Sequence, residues 1–153
     1  MSLIEYLRFD KIDPNEFVPL LNKKSTREHL IAHEKFDTES VAQWMKAKIE
    51  VDQIEGCRVR ALSVNGVLAG WCAIQSVDTQ YEIAIVLDEH YWGIGKKVFG
   101  ELMQWAQEFG HDKIYIHLLH TRPEYKFLRK MSTNVYESMI LGSKFTTYEL
   151  NLG

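Results

Sequence analysis

Two cysteines in 153 residues, Cys57 and Cys72, are too few for the disulfide framework of a small secreted domain. They read as free, buried thiols of a reducing compartment. Prolines are equally scarce, at positions 14, 19 and 123, and no Pro/Gly/Ser-rich linker, internal repeat or low-complexity tract divides the chain. A single domain over 1–153 is therefore expected. Long apolar runs are missing: the longest, from Ile83 to Leu87, is far short of the roughly 20 residues of a membrane helix. The opening MSLIEYLRFD carries Glu5, Arg8 and Asp10, which is unlike a secretory leader, so a cytoplasmic protein outside the membrane is expected. There is no basic excess either. The 18 Lys+Arg against 21 Asp+Glu leave a net charge of −3, which argues against a nucleic-acid binder. What is present is ordinary globular composition on a chain long enough to bury its own core.

Seven strands and several helices can be placed. Residues 3–9 read as a strand. Asp13-Pro14-Asn15-Glu16 starts a short helix reaching about residue 22, with Asp at the cap and Pro at the first helical position. A second short helix is placed over 26–33. Asp37 or Thr38 caps a longer helix whose Val41, Trp44, Met45 and Ile49 keep the 3.6-residue period. Asn65-Gly66 is a type I′ turn pair joining strands 57–64 and 67–75. With regular strands it sets Val59 opposite Cys72 and Cys57 opposite Ile74, leaving the cysteines diagonal and unbonded. Val59 and Leu68 then share one face, and Leu62 and Trp71 the other, so the sheet is covered on both sides. Strand 81–87 is apolar on both faces. A helix over 93–109 ends at Gly110, strand 113–119 follows, and Thr121 to Glu124 forms a capping box for the last helix. Strands 134–141 and 144–150 turn at Gly142-Ser143. The β-α-β step from 82 to 119 makes its two strands parallel within an otherwise antiparallel sheet.

The stretch His90-Tyr91-Trp92-Gly93-Ile94-Gly95-Lys96-Lys97 breaks several local rules together. A helix start leaves four backbone N–H groups unpaired, yet no Ser, Thr, Asp or Asn lies between 90 and 97 to take them. Two glycines there let a ligand approach the backbone. Lys96 and Lys97 sit at the positive end of the helix dipole and Glu108 at the negative end, both unfavourable placements. A bound anion would reverse the first. Glycines in a short loop are also common without any ligand, so spacing and charge leave both readings open.

The segment resembles the coenzyme A loop of GCN5-related N-acetyltransferases (GNAT), Arg/Gln-x-x-Gly-x-Gly/Ala, read here as His90-Tyr91-Trp92-Gly93-Ile94-Gly95, with His90 in the Arg/Gln place. The resemblance takes in the strand from Glu82 to Leu87 and the spacing Val98-Phe99, Leu102-Met103. The element order agrees over nearly the whole chain. It implies an α/β (α+β) fold: a mixed, mostly antiparallel sheet of about seven strands with helices on both faces and one parallel β-α-β step. It also implies acetyl-CoA as co-substrate, without a metal, and N-acetyl transfer by direct attack of a primary amine from a small-molecule or peptide acceptor. In this reading Tyr91, Trp92, Gly93, Ile94, Gly95, Lys96 and Lys97, with His90 and Arg122, hold the pyrophosphate, and Ile85, Val86 and Leu87 pair with pantetheine. Glu82 is either the base or an ordinary sheet carboxylate paired with a cation. The family's acid is a tyrosine, whose place falls at Arg129; Tyr125, one turn earlier, is the substitute. Trp92 could line the pantetheine channel, while Trp44, Trp71 and Trp105 belong to the core. The alternative is a non-catalytic module that binds CoA or a partner on the same fold; a homodimer is compatible with either. His29 and His33 are four apart with no third ligand, and His117 and His120 do not share a strand face, so neither pair reads as a metal site.

Overall fold

The computed structural model describes residues 3–23, 35–122 and 125–152. The helix expected at 26–33, with His29 and His33, lies outside them. The elements are β1 (Ile4–Leu7), α1 (Pro14–Asn22), α2 (Thr38–Asp52), β2 (Arg58–Val64), β3 (Val67–Val77), β4 (Gln80–Leu87), α3 (Gly95–Glu108), β5 (Lys113–Leu119), α4 (Lys126–Met131), β6 (Ser132–Ile140) and β7 (Ser143–Asn151). Short 3₁₀ turns precede α1 (Phe9–Lys11) and α3 (Glu89–Ile94).

Local chemistry accounts for the helix ends. The Asp13 carboxylate accepts from the Asn15 amide, with Pro14 first in α1. Asp37 and Ser40 exchange side chain-to-backbone hydrogen bonds at the start of α2, the expected cap. Gly110, at φ 81°, closes α3 as the sequence indicates. The last helix differs. Thr121 does not cap it, because the chain reverses at Leu119–Arg122 through the Arg122 amide to the Leu119 carbonyl at 2.9 Å. Lys126 is the first helical residue, and Tyr125 precedes it in extended backbone. Pro123 and Glu124 lie outside the described residues.

The seven strands form one sheet in the order β1-β2-β3-β4-β5-β7-β6, antiparallel except for β4 and β5. On one face Leu62, Cys72, Ile74, Ile83, Ile114 and Tyr148 pack with Leu102 of α3 and Leu128 of α4. On the other Phe9, Val59, Trp71 and Val86 pack with Phe17 of α1 and Val41 of α2. Both faces are thus covered, as expected.

The β2–β3 register corrects the simple hairpin count. Val64 does face Val67, but an irregularity at Leu62/Ser63 shifts the ladder, so Leu62 faces Gly70, Arg60 faces Cys72 and Val59 faces Ala73. One extra residue on β3, a β-bulge, has this effect. It also moves Trp71 to the Val59 and Leu68 side, opposite Leu62. Cys57 and Cys72 are both buried and free. The β6–β7 turn sits one residue earlier than expected, on Leu141 and Gly142, both with positive φ, because Ile140 pairs with Ser143.

Candidate active site at the fork between strands β4 and β5

β4 keeps its β3 partners from Gln80 to Leu87, but it pairs with β5 only at Glu82–Tyr115 and Ile83–Ile116. β5 meanwhile follows β7 along its whole length, from Lys113 to Leu119. The two parallel strands therefore part after Ile83, and Ile85, Val86 and Leu87 have no β5 partner. Gly70 permits this course of β4. A Cβ there would stand 2.0 Å from the Val86 carbonyl oxygen and 2.9 Å from Leu87 Cα, so the backbones cross where only glycine fits. The Trp92 indole donates to the Leu87 carbonyl at 3.1 Å, so this acceptor is already engaged.

β4 leads directly into the glycine loop. Asp88, a buried side chain, organises it. Its Oδ1 accepts from the His90 amide at 3.0 Å and lies 2.9 Å from His90 Nδ1, while Oδ2 takes the Lys23 ammonium at 2.6 Å. Burial raises the Asp88 pKa, but the hydrogen bonds from Lys23 and from His90 outweigh it and hold the carboxyl at about 2. The Tyr91 amide donates to the Asp88 carbonyl and the Gly95 amide to the Trp92 carbonyl. These amides of the predicted phosphate cradle thus have partners within the turn. α3 itself begins on Ile94 without any side-chain cap, as the sequence indicates. Neither glycine of the loop is demanded by the fold. Gly93 has nothing within 4 Å of an added Cβ, Gly95 meets only Leu87 Cδ1 at 3.7 Å, and neither has a positive φ. Trp92 is 52% exposed. Lys96 and Lys97 occupy the first turn of α3, and Lys96 Nζ lies over the Phe127 ring at 5.5 Å.

Glu82 sits where the strands are still paired, one residue before they part. Gln75, its β3 partner, donates to Oε1 at 3.3 Å, and the Gln75 amide oxygen accepts from Lys48 of α2. On the other side, His117 Nε2 faces Glu82 Oε2 at 3.3 Å. His117 Nδ1 is 2.8 Å from Thr147 Oγ, which is 2.6 Å from Ser138 Oγ. Burial raises the Glu82 pKa against the pull of Lys48 and the Gln75 hydrogen bond, and burial lowers that of His117. Lys48 is lowered by burial as well, and its ammonium lies 4.9 Å over the Trp71 ring. No local signal in the sequence marks Lys48, Gln75, Thr147 or Ser138 as site residues, and His117 reads there only against His120, whereas its partners come from β4 and β7.

Tyr125 and Arg122 come together: Arg122 Nη2 donates to the Tyr125 hydroxyl at 3.4 Å and its guanidinium lies 5.8 Å from the ring. Tyr125 packs on the α3–α4 side of the sheet beside Phe127. The structure does not join it to Glu82, whose partners Lys48 and Gln75 lie toward α2. Tyr125 is also not helical, although its carbonyl accepts from the Arg129 amide at 3.3 Å, one turn on. Among the described residues no group of three His, Cys, Asp or Glu could hold a metal, and no helix is long and apolar enough to cross a membrane.

Comparison with known proteins bears on the family and the fold. Residues 20–131 match the family described as Acetyltransferase (GNAT) family. No curated protein matches the sequence. Among solved structures, the acetyltransferase of GNAT family from Streptococcus pneumoniae superposes with a TM-score of 0.71 at 16% identity, covering 100% of both chains. YncA from Salmonella typhimurium, solved with its cofactor acetyl-CoA, gives 0.69 at 16% identity over 99% of this chain and 94% of its own. PaiA N-acetyltransferase from Thermoplasma acidophilum, in complex with coenzyme A, gives 0.63 at 16% identity over 99% of each.

Proposed function

This chain belongs to the GNAT acetyltransferase family, and on that premise we propose that it transfers an acetyl group from acetyl-CoA to a primary amine by direct attack. The observation that carries the reading is the fork: β4 leaves β5 after Ile83 and leads, through the short turn 89–94, to a helix start without a side-chain cap of its own. The residues present fit acetyl-CoA. Ile85, Val86 and Leu87 have no β5 partner, and apart from the Leu87 carbonyl, which Trp92 holds, they offer a strand edge where an extended pantetheine arm could add as a strand does. Gly93 opens onto free space, and the start of α3 is cationic through Lys96 and Lys97, which suits a pyrophosphate; Arg122, beside Tyr125, is the further cation proposed for it. The binding of acetyl-CoA by YncA and of coenzyme A by PaiA supports the same assignment. Bound there, acetyl-CoA supplies the activated thioester.

The chain's own groups do the rest. Glu82 takes the proton of the attacking amine, directly or through water, so that the nitrogen lone pair is free. Burial raises its pKa, which makes it a stronger base than an exposed carboxylate. A backbone N–H of the β4 edge polarises the thioester carbonyl. Tyr125, its hydroxyl held by Arg122, returns a proton to the departing thiolate. The acceptor is a small-molecule or peptide amine.

A second reading, a module that binds CoA without turnover, is favoured by Arg129 in the tyrosine place and by the separation of Tyr125 from Glu82. Release of free thiol from acetyl-CoA across a panel of primary amines separates the two. Amine-dependent release supports the transferase. Tight binding with no release for any amine, peptide N-termini included, supports the module.

A further inference from the structure

Glu82, as the base of the proposed reaction, must be ionised although burial resists it. A carboxylate can only accept hydrogen bonds. Its Oε1 already has a donor in Gln75, whose orientation is set by the Lys48 ammonium on its amide oxygen. Its Oε2 faces His117 Nε2. For that contact to be attractive with a neutral imidazole, Nε2 must carry the proton, and Nδ1 must then accept. The Nδ1 neighbour is the Thr147 hydroxyl at 2.8 Å, which therefore donates to it. Thr147 Oγ in turn accepts from Ser138 Oγ at 2.6 Å. Thr147 is 0% exposed, so water does not compete for these bonds. Tyr115 lies parallel to the imidazole at 6.4 Å and 3°. In this assignment Ser138, Thr147 and His117, from β6, β7 and β5, form a row of donors in one direction, whose last N–H lies at ion-pair distance, 3.3 Å, from the carboxylate.

We propose that His117 is a positioning residue for Glu82, held by Thr147 and Ser138 in the Nε2–H tautomer, so that its N–H keeps the carboxylate ionised and aligned. This rests on Glu82 being the base. The charged and titratable groups around the row are Lys48 from α2, Glu82 from β4, Tyr115 from β5, Tyr136 from β6 and Glu149 from β7. Glu149 is neutralised by Lys113 at 2.6 Å.

Two measurements test this, one independent of the acceptor. ¹⁵N shifts of the His117 ring in the wild-type protein should report the Nε2–H tautomer; an Nδ1–H tautomer at neutral pH overturns the proposal. The kcat–pH profile, with an amine accepted in the thiol-release assay, is then compared among His117→Asn, His117→Gln and Glu82→Gln. Asn places its amide near the Nδ1 position and loses the donor to Glu82. Its acidic limb should move up by about one pH unit, with KM for acetyl-CoA unchanged. Gln carries its amide to the Nε2 position and should restore the wild-type limb. If His117→Asn keeps the wild-type profile while Glu82→Gln is impaired, His117 has no such role and Glu82 remains the base. If Glu82→Gln is itself unimpaired, the base assignment fails and this inference with it. Should His117→Asn not fold, Thr147→Val leaves the imidazole in place, removes the donor to Nδ1, and should shift the limb in the same direction; no shift counts against the proposal.

Discussion

Gly70 and Val86 touch across the β3–β4 ladder so closely that any side chain at residue 70 would meet the Val86 carbonyl oxygen at 2.0 Å. Backbone, not a flexible side-chain end, is what it would strike. Gly70→Ala must therefore push β4 aside where it leaves β5. Overpacking of this kind costs about 1–3 kcal/mol. Chemical denaturation should show that loss, and acetyl-CoA affinity should fall with it. A Gly70→Ala protein of wild-type stability would mean that the β4 course is not set by this crossing.

Asp88 joins Lys23, at the end of α1, to the loop residue His90. Its pKa is held at about 2, below the usual 3.8. A depressed carboxyl pKa contributes stability that is present above the usual value and lost as pH falls from about 4 toward 2. Asp88→Asn should be less stable than wild type at neutral pH by about 1–2 kcal/mol, a figure discounted for the exposure of Lys23. The gap should close in acid. Equal stability of the two proteins from pH 7 down to 2 would show that the pair contributes nothing to folding.

Gly93→Asp and Gly95→Asp should fold, because the added Cβ meets nothing within 4 Å at 93 and only Leu87 Cδ1 at 95. Both should weaken acetyl-CoA binding by at least about tenfold, or 1.4 kcal/mol, by placing a negative charge beside the pyrophosphate. Circular dichroism checks the fold and calorimetric titration the affinity. Undiminished binding by both folded variants would place the anion elsewhere.

Glu82→Gln should lower turnover about 10²–10⁴-fold at neutral pH, with affinity for acetyl-CoA nearly intact. Part of the rate should return at high pH, as more amine is already neutral.

The parts legible in the sequence are those governed by neighbours along the chain. Asp37 capping α2, the Asn65-Gly66 turn, Gly110 ending α3 and the missing cap at its start are all local signals. The β2–β3 register was not legible, because a turn pair sets the register only for regular strands and the bulge near Leu62 and Ser63 carries no local mark. Nor was the shortened α4, whose first turn gives way to the chain reversal at Leu119–Arg122. At the site, Glu82 and the glycine loop stood out by sequence. His117 did not, because its meaning comes from Glu82, 35 positions earlier, and from Thr147, 30 positions later. Both contacts exist only once β5 lies between β4 and β7.

Thermal unfolding with and without acetyl-CoA tests the central claim most directly. A ligand that binds only the folded chain adds about 2.7 kcal/mol at 100 times its dissociation constant. For a domain of this size that raises the melting temperature by roughly 5–10 °C. The account predicts such a rise for wild type with acetyl-CoA, and a rise cut by about half or more in Gly93→Asp. An unchanged melting temperature for wild type at millimolar acetyl-CoA, with flat calorimetric titration, would contradict it.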